Sequence, residues 1–311
     1  MSAPTALENV KPVVSPFEVN YLLAALEMGK ADESVLRFLQ FMTKLLPVKS
    51  VTFLHVMPKL DLYFTDIGQN TQNLMKNFEH QDEVSEEMRL KVSGYLDAEN
   101  GPLVHFSTKN GNPLEEVLQE ARISGADLLV VGQRSGSGNH GILARNLVRK
   151  SNGNTLIIPE QSRASLQTIV VPVDFSAHSL RALELAIGIN RSLVKKAKII
   201  CVNVFELPAV FSYKVRHSYE ALKQMMEEDR MAAFKDFLSG YALEEEHIEM
   251  ALIEQGYGNI GAFLYQFCED HHADLIVVGA KGHSKVELLL LGSVTEKLLT
   301  LNQNIPTLVV K

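Results

Sequence analysis

The sequence has few cysteines, no excess of positive charge and no long apolar segment. Two cysteines in 311 residues, Cys201 and Cys268, are too few for a disulfide framework. We expect both to be buried thiols in a reducing compartment. The net charge of −7 argues against binding to nucleic acid or to an anionic membrane through a general basic surface. We therefore expect neither kind of partner.

Two further absences concern targeting. No window offers the roughly 20 apolar residues that a membrane-spanning helix needs. The stretch at 1–17 has neither a basic segment nor a continuous apolar run, so we expect no signal peptide. Together these absences predict a cytoplasmic protein.

The chain contains an internal repeat. ADLLVVGQRSG at 126–136 recurs as ADLIVVGAKGH at 273–283, and the displacement of 147 residues also aligns YLLAALE at 21–27 with TIVVPVD at 168–174. Such self-similarity indicates a duplicated domain. Because the segment at 159–167 is short and polar, we predict one domain over 1–160 and a second over 161–311.

Within the second copy, short apolar runs alternate with stretches of helical periodicity. The runs are continuous rather than alternating, which is typical of parallel strands covered by helices on both faces. The predicted fold class is α/β, with two tandem, doubly wound, Rossmann-like domains of five parallel strands each. Met225, Met226 and Met231, in a helical stretch of this copy, are interpreted as core residues.

The segment GAKGHSKVELLLLGSVT, at 279–295, has the features of an anion site. Gly279 and Gly282 follow an apolar run, and nine residues later Gly292 and Ser293 begin a predicted helix. We expect positive φ at the first two glycines and a close approach of backbone to ligand. Free N–H groups at the helix start would then bind phosphate, with hydroxyl donors from Ser293 and Thr295.

Charge in the same loop favours this interpretation, because Lys281, His283 and Lys285 add positive charge or donors. The alternative is turn glycines and an ordinary N-cap at Ser293, and for any single residue it is the commoner explanation. The complete spacing favours a polyphosphate ligand.

Asp174 ends the run VPVD and completes the predicted crevice. In open parallel sheets ligands bind where the strand order reverses, so Asp174 and Gly279 face each other if the first and fourth strands are neighbours. The carboxylate could accept a hydrogen bond from an amine such as adenine N6. It could equally cap the following helix, alone or with Ser176. Val204, which ends the second strand, would offer an apolar wall to a base.

From about residue 18 to 311, these motifs resemble the universal stress protein family in its tandem form. In that family, G-x-x-G, nine residues and G-S/T mark the members that bind ATP. The resemblance implies ATP, with Mg²⁺, in the second domain, and no catalytic or metal-ligating residue is assigned. The predicted nucleotide-binding residues are Pro172, Val173, Asp174, Phe175, Ser176, Val204, Gly279, Lys281, Gly282, His283, Gly292, Ser293, Val294 and Thr295.

The first copy departs from the pattern. Glu27 replaces the aspartate, Ile142 stands in the place of Ser293, and only eight residues separate Gly132 from Gly141. This copy should bind polyphosphate poorly, although Arg134 leaves room for a smaller anion. We expect it to be mainly structural. The resemblance also implies antiparallel pairing of the two domains through the last strand, TLVVK, and a homodimer.

The predicted function is that of a cytoplasmic stress-response protein with ATP as a regulatory ligand. The alternative is an interaction or scaffold protein that binds no nucleotide. Glu254 and Glu287 are interpreted as solvated surface, so no general base is identified, and any turnover would be slow ATP hydrolysis or autophosphorylation. CEDHH at 268–272, with His283, lacks the spacing of a zinc site.

Overall fold

A computed structural model of the chain describes most of its residues. The described ranges are 13–57, 81–96, 101–134, 141–207, 216–241, 247–256, 258–282 and 291–311. Three residues to which the sequence assigns a role, His283, Lys285 and Glu287, lie outside them.

Strands and helices alternate along the whole described chain. The first half contains β1 (Val19–Leu26), α1 (Asp32–Leu45), β2 (Val48–Met57), α2 (81–93), β3 (Leu103–Asn110), α3 (Pro113–Ser124), β4 (Leu128–Gln133), α4 (Ile142–Lys150) and β5 (Asn154–Pro159). The second half contains β6 (Thr168–Pro172), α5 (Ala177–Ser192), β7 (Lys198–Phe205), α6 (Arg216–Ser239), β8 (Ile248–Glu254), α7 (Ile260–Asp270), β9 (Leu275–Gly279), α8 (Ser293–Leu301) and β10 (Thr307–Val310).

All ten strands form one sheet, in the order β3-β2-β1-β4-β5-β10-β9-β6-β7-β8. Pairing is parallel within each half, and β1 lies beside β4 just as β6 lies beside β9. The halves meet where β10 pairs antiparallel with β5, Leu308 opposite Leu156. The predicted α/β fold is confirmed, and so is the neighbouring position of the first and fourth strands in each half. The division of the chain at 160/161 stays a prediction.

Apolar side chains on both faces of the sheet explain the continuous apolar runs. Successive strand residues point to opposite faces, so Val277 belongs to the cluster packed by α1 and α5, and Val278 to the cluster packed by α7 and α8. Both valines are at most 5% exposed. Each helix layer thus covers one face of the sheet.

The duplication extends to individual hydrogen bonds. Asp127 Oδ2 accepts the backbone N–H groups of Asn20 and Tyr21, at 2.8 and 2.9 Å. Asp274 Oδ2 accepts those of Gln167 and Thr168, at 2.7 and 3.1 Å. Both aspartates therefore fix the start of the first strand of their half. Met28, after Glu27, and Phe175, after Asp174, also match, because both have a left-handed backbone with φ of 58° and 63°.

One interpretation of the helical periodicity is wrong. Met225 and Met231 on α6 are 52% and 38% exposed, so they are not core residues. The helix buries Phe234 instead, at 5% exposure. The described helices also include none that combines the length and apolar content needed to cross a membrane.

Candidate functional site

A crevice lies at the carboxyl ends of β6, β7 and β9, and its volume is about 290 Å³. Its walls contain the following predicted residues: Pro172, Val173, Asp174, Val204, Gly279, Lys281, Gly282, Gly292, Ser293, Val294 and Thr295. Parallel strands place their carboxyl ends at one edge of the sheet, which brings residues from three distant segments together. The crevice has the position that the strand order predicts.

Asp174 and Gly282 are in direct contact. A β-carbon built on Gly282 would lie 2.6 Å from Asp174 Oδ2, closer than any side chain tolerates. The other oxygen, Oδ1, accepts the backbone N–H of Ser176 at 3.1 Å. Asp174 thus fixes the turn into α5, and its side chain also borders the crevice, while its contact with an adenine amine stays a prediction.

The glycines of the loop are needed for packing, and the expected positive φ is wrong. Gly279 and Gly282 are not among the residues with a left-handed backbone. A β-carbon on Gly279 would lie 2.9 Å from the carbonyl oxygen of His178. Gly292 has φ of −70°, and its nearest contact for a β-carbon is an ordinary 3.5 Å. Close approach to protein atoms, not a turn conformation, crowds a side chain at the first two positions, through backbone at Gly279 and the Asp174 carboxylate at Gly282.

Among the described residues, no side chain caps the start of α8. Gly292 precedes the helix and makes no side-chain cap. Ser293 to Thr295 line the crevice. Because N–H groups of the first helical turn have no partner within the helix, they can bind an anion. Thr295 contributes differently than expected, since its buried hydroxyl donates to Gly279 O at 2.9 Å and so ties α8 to β9.

Phe175 and Ser176 do not line the crevice. The Phe175 ring packs edge-on against Phe237, with centroids 5.7 Å apart. Ser176 is 8% exposed, and its Oγ accepts the N–H of Ser179 at the start of α5. The cap that the sequence offered for Ser176 is observed, and contact of these two residues with a ligand stays a prediction.

Asn203, which was not among the predicted site residues, is 4% exposed and lines the crevice. Its Nδ2 donates to Val173 O at 2.8 Å, and its Oδ1 accepts from Arg230 Nη1 at 3.2 Å. A polar residue inside the apolar run CVNVF was the signal that could have found it. The other wall residues that were not predicted are Ser179, Val202, Ile260, Leu264 and Val278.

Positive charge surrounds the mouth of the crevice. Burial lowers the pKa of His178, and the neighbouring charges of Arg181 and Lys281 lower that pKa further, while Asp174 opposes them. His178 thus lies within the field of two cations and one carboxylate. The same positive charges that disfavour protonation of His178 would stabilise an anion bound at the mouth.

Glu254 is not the solvated surface residue that the sequence suggested. It accepts a hydrogen bond from the Tyr219 hydroxyl and forms a 3.0 Å ion pair with Lys223. These contacts, with that of Tyr219 the largest, lower the pKa of the Glu254 carboxyl. Across the described residues, no group of three or more His, Cys, Asp or Glu side chains could hold a metal ion.

The corresponding position in the first half is occupied by an ion pair. Arg134 Nη2 lies 2.6 Å from Glu27 Oε2, and these residues correspond to Lys281 and Asp174. Beneath them, buried Asp32 accepts the N–H groups of Glu27 and Gly29 and pairs with Lys91 at 3.0 Å. The carboxylate that would face a ligand is therefore already neutralised by a neighbouring cation.

Comparison with known proteins agrees with this architecture. The sequence model described as the Universal stress protein family matches residues 165–311. A universal stress protein of Methanocaldococcus jannaschii is 31% identical over 143 residues, which are 46% of this chain and 81% of the relative.

Two solved structures share the fold over almost the whole length. A universal stress protein from Archaeoglobus fulgidus has a TM-score of 0.61 at 16% identity, with 94% of this chain and 96% of the other covered. A functionally unknown protein from Pseudomonas aeruginosa has a TM-score of 0.60 at 15% identity, with 94% and 92% covered. The chain therefore belongs to the universal stress protein family, in its tandem form.

Proposed function

We propose that the second half of the chain, residues 161–311, binds ATP with Mg²⁺ as a regulatory ligand, and that the protein acts in the cytoplasmic stress response. The observation that carries the proposal is that the Asp174 carboxylate and the uncapped start of α8 border the same crevice. One would accept the adenine amine and the other would donate to phosphate oxygens.

The walls support a nucleotide in two further ways. Val204, Ile260 and Leu264 form an apolar surface suited to one face of a base. Lys281 lies in the wall on the side of the glycine loop and adds positive charge for the phosphates. Mg²⁺ would be held mainly by phosphate oxygens and water, as is usual for this ion. We propose a binding role, and no described residue is assigned to turnover.

Two substitutions of Ser293 test the helix start directly. Proline is well tolerated at the first helical position, and Gly292 has the extended backbone (φ −70°, ψ 146°) that suits a residue before proline. Ser293→Pro therefore removes a backbone N–H while preserving α8, whereas Ser293→Ala removes only the hydroxyl. We expect ATP affinity to fall about tenfold in the proline variant, the effect of losing one charge-assisted hydrogen bond.

Calorimetric titration of the full chain with ATP, with and without Mg²⁺, gives the measurement. Equal affinities of the proline variant and the wild type would place the phosphates elsewhere. If the wild type shows no saturable binding of ATP, the interaction or scaffold alternative replaces the proposal.

A further inference from the structure

Four basic side chains from three separate elements meet beside the crevice. His178 and Arg181 lie in the first turns of α5, Lys281 follows β9, and Lys311 follows β10. The two strands are parallel neighbours, with Val310 opposite Gly279, so the two lysines leave the sheet side by side. The backbone of His178 packs against Gly279, which brings α5 to the same place.

These groups repel one another and have few counter-charges. Burial and the charge of Lys281 lower the pKa of the Lys311 ammonium group, and Lys281 and Arg181 contribute to the lowered pKa of His178. Arg181 Nη2 lies 2.9 Å from His178 Nδ1. Within the described part of the chain, neither lysine side chain has an ion-pair partner.

Arg181 and Lys311 also line a cavity of their own, with a volume of about 670 Å³. Lys281 lines the crevice rather than this cavity, and its charge acts on Lys311 in the cavity wall. Two carboxylates share this cavity: Glu184, which accepts a hydrogen bond from the Tyr241 hydroxyl, and the exposed Glu18. The cavity therefore has space, with two cations and two carboxylates in its wall.

The first half serves as an internal control. At the positions of His178, Arg181 and Lys281 it has Ala31, Ser34 and Arg134, and Arg134 is neutralised by Glu27. In the strand register Pro159, which carries no charge, takes the place of Lys311. The same fold forms without the cluster, so the fold does not require it. Like charges that lie together where the fold does not require them are typical of a ligand-binding site.

We propose that His178, Arg181, Lys281 and Lys311 form a second anion site, which binds a phosphate group beyond those that a nucleotide in the crevice would place at the start of α8. The phosphate group belongs either to a longer polyphosphate chain on the same nucleotide or to a free polyphosphate. The site goes beyond the proposed function, since a free polyphosphate can bind there whether or not adenine occupies the crevice.

Titration of the full chain with tripolyphosphate, without nucleotide, tests the site itself. We expect saturable binding that weakens at high salt. The double variant Arg181→Gln, Lys311→Gln should bind roughly a hundredfold more weakly, at about tenfold for each cation removed. Lys195→Gln, which removes an exposed cation remote from the cluster, is the matched control and should leave the affinity unchanged.

A second titration identifies the source of the phosphate. If the nucleotide carries it, adenosine tetraphosphate binds more tightly than ATP, and the double variant removes that preference. If the phosphate is free, tripolyphosphate binds to the ATP-saturated protein, and the double variant abolishes this binding. The proposal is overturned if the wild type binds no tripolyphosphate and shows no preference for tetraphosphate, even when ATP itself binds normally. It is equally overturned if the double variant behaves as the wild type does.

Discussion

The carboxylate of Asp174 lies against the α-carbon of Gly282, although 108 positions separate the two residues in the sequence. A residue at the end of the first strand of the second half and a residue in its last loop thus form one contact. This contact links the adenine end of the proposed site to its phosphate loop. A substitution at either residue should therefore shift the position of the other.

Gly282→Ala tests this coupling. The new β-carbon would lie 2.6 Å from Asp174 Oδ2, so either the carboxylate or the loop must move. We expect ATP affinity to fall at least tenfold, which corresponds to about 1.4 kcal/mol. The matched control is Gly240→Ala, where a β-carbon meets nothing within 4 Å. Calorimetric titration of both variants gives the comparison, and unchanged affinity in Gly282→Ala would show that Asp174 does not contact the ligand.

Asn203→Ala should lower the free energy of unfolding. The substitution leaves the carbonyl of Val173 and the guanidinium of Arg230 without their partner beside a buried wall. Each buried polar group left unsatisfied costs about 1–3 kcal/mol. Urea denaturation followed by circular dichroism measures the change. Asn152→Ala, at an exposed asparagine, should change stability by less than about 0.5 kcal/mol, and equal effects of the two variants would contradict the role of Asn203.

The destabilisation caused by reversing one charge between the two halves should be compensated by reversing its partner. Arg149 on α4 forms an ion pair with Glu296 on α8. Both side chains are partly exposed, so the pair contributes only about 0.2–1 kcal/mol. Arg149→Glu alone should destabilise the chain, and adding Glu296→Arg should restore most of the loss. A double-mutant cycle in denaturant at low and high salt measures the coupling, which salt should weaken. Strictly additive effects would mean that the pair contributes nothing.

Tyr241 should make the stability of the protein depend on alkaline pH. A hydrogen bond to Glu184, then burial, raises the pKa of Tyr241 to about 12. Because the folded pKa lies above the unfolded value of about 10, the protonated form is favoured by folding. The stabilisation of the folded state by the protonated Tyr241 hydroxyl is fully present below pH 10 and is lost as the pH rises toward 12.

Absorbance titration near 295 nm of the wild type and of Tyr241→Phe isolates this group by difference. The missing tyrosine should titrate near pH 12, and the stability advantage of the wild type over the variant should shrink between pH 10 and 12. A difference titration centred at pH 10 would contradict the hydrogen bond to Glu184.

Much of the fold followed from local patterns. Continuous apolar runs such as KIICVNVF predicted β7, and the repeat at a displacement of 147 residues predicted two copies of one topology. The topology in turn predicted that Asp174 and Gly279 border one crevice. The predicted pocket could thus be placed before any coordinates, because parallel strands and right-handed crossovers allow few arrangements.

The roles of individual side chains could not be predicted in the same way. The hydroxyl of Thr295, expected at a phosphate, is engaged by the carbonyl oxygen of Gly279. Asn203 gave only a weak signal in the sequence. In each case the partner lies on another segment, and its distance is set by packing rather than by spacing along the chain.

The sequence by itself determined the strands, the helices, the duplication and the edge of the sheet where a ligand would bind, since hydrophobic periodicity and chain order are local properties. Only the tertiary structure decided which glycines lie against other atoms, which hydroxyl is already engaged and which cations lie close together. Those outcomes depend on contacts of a few ångströms between residues far apart in sequence, and such contacts are fixed only when the helices and strands pack.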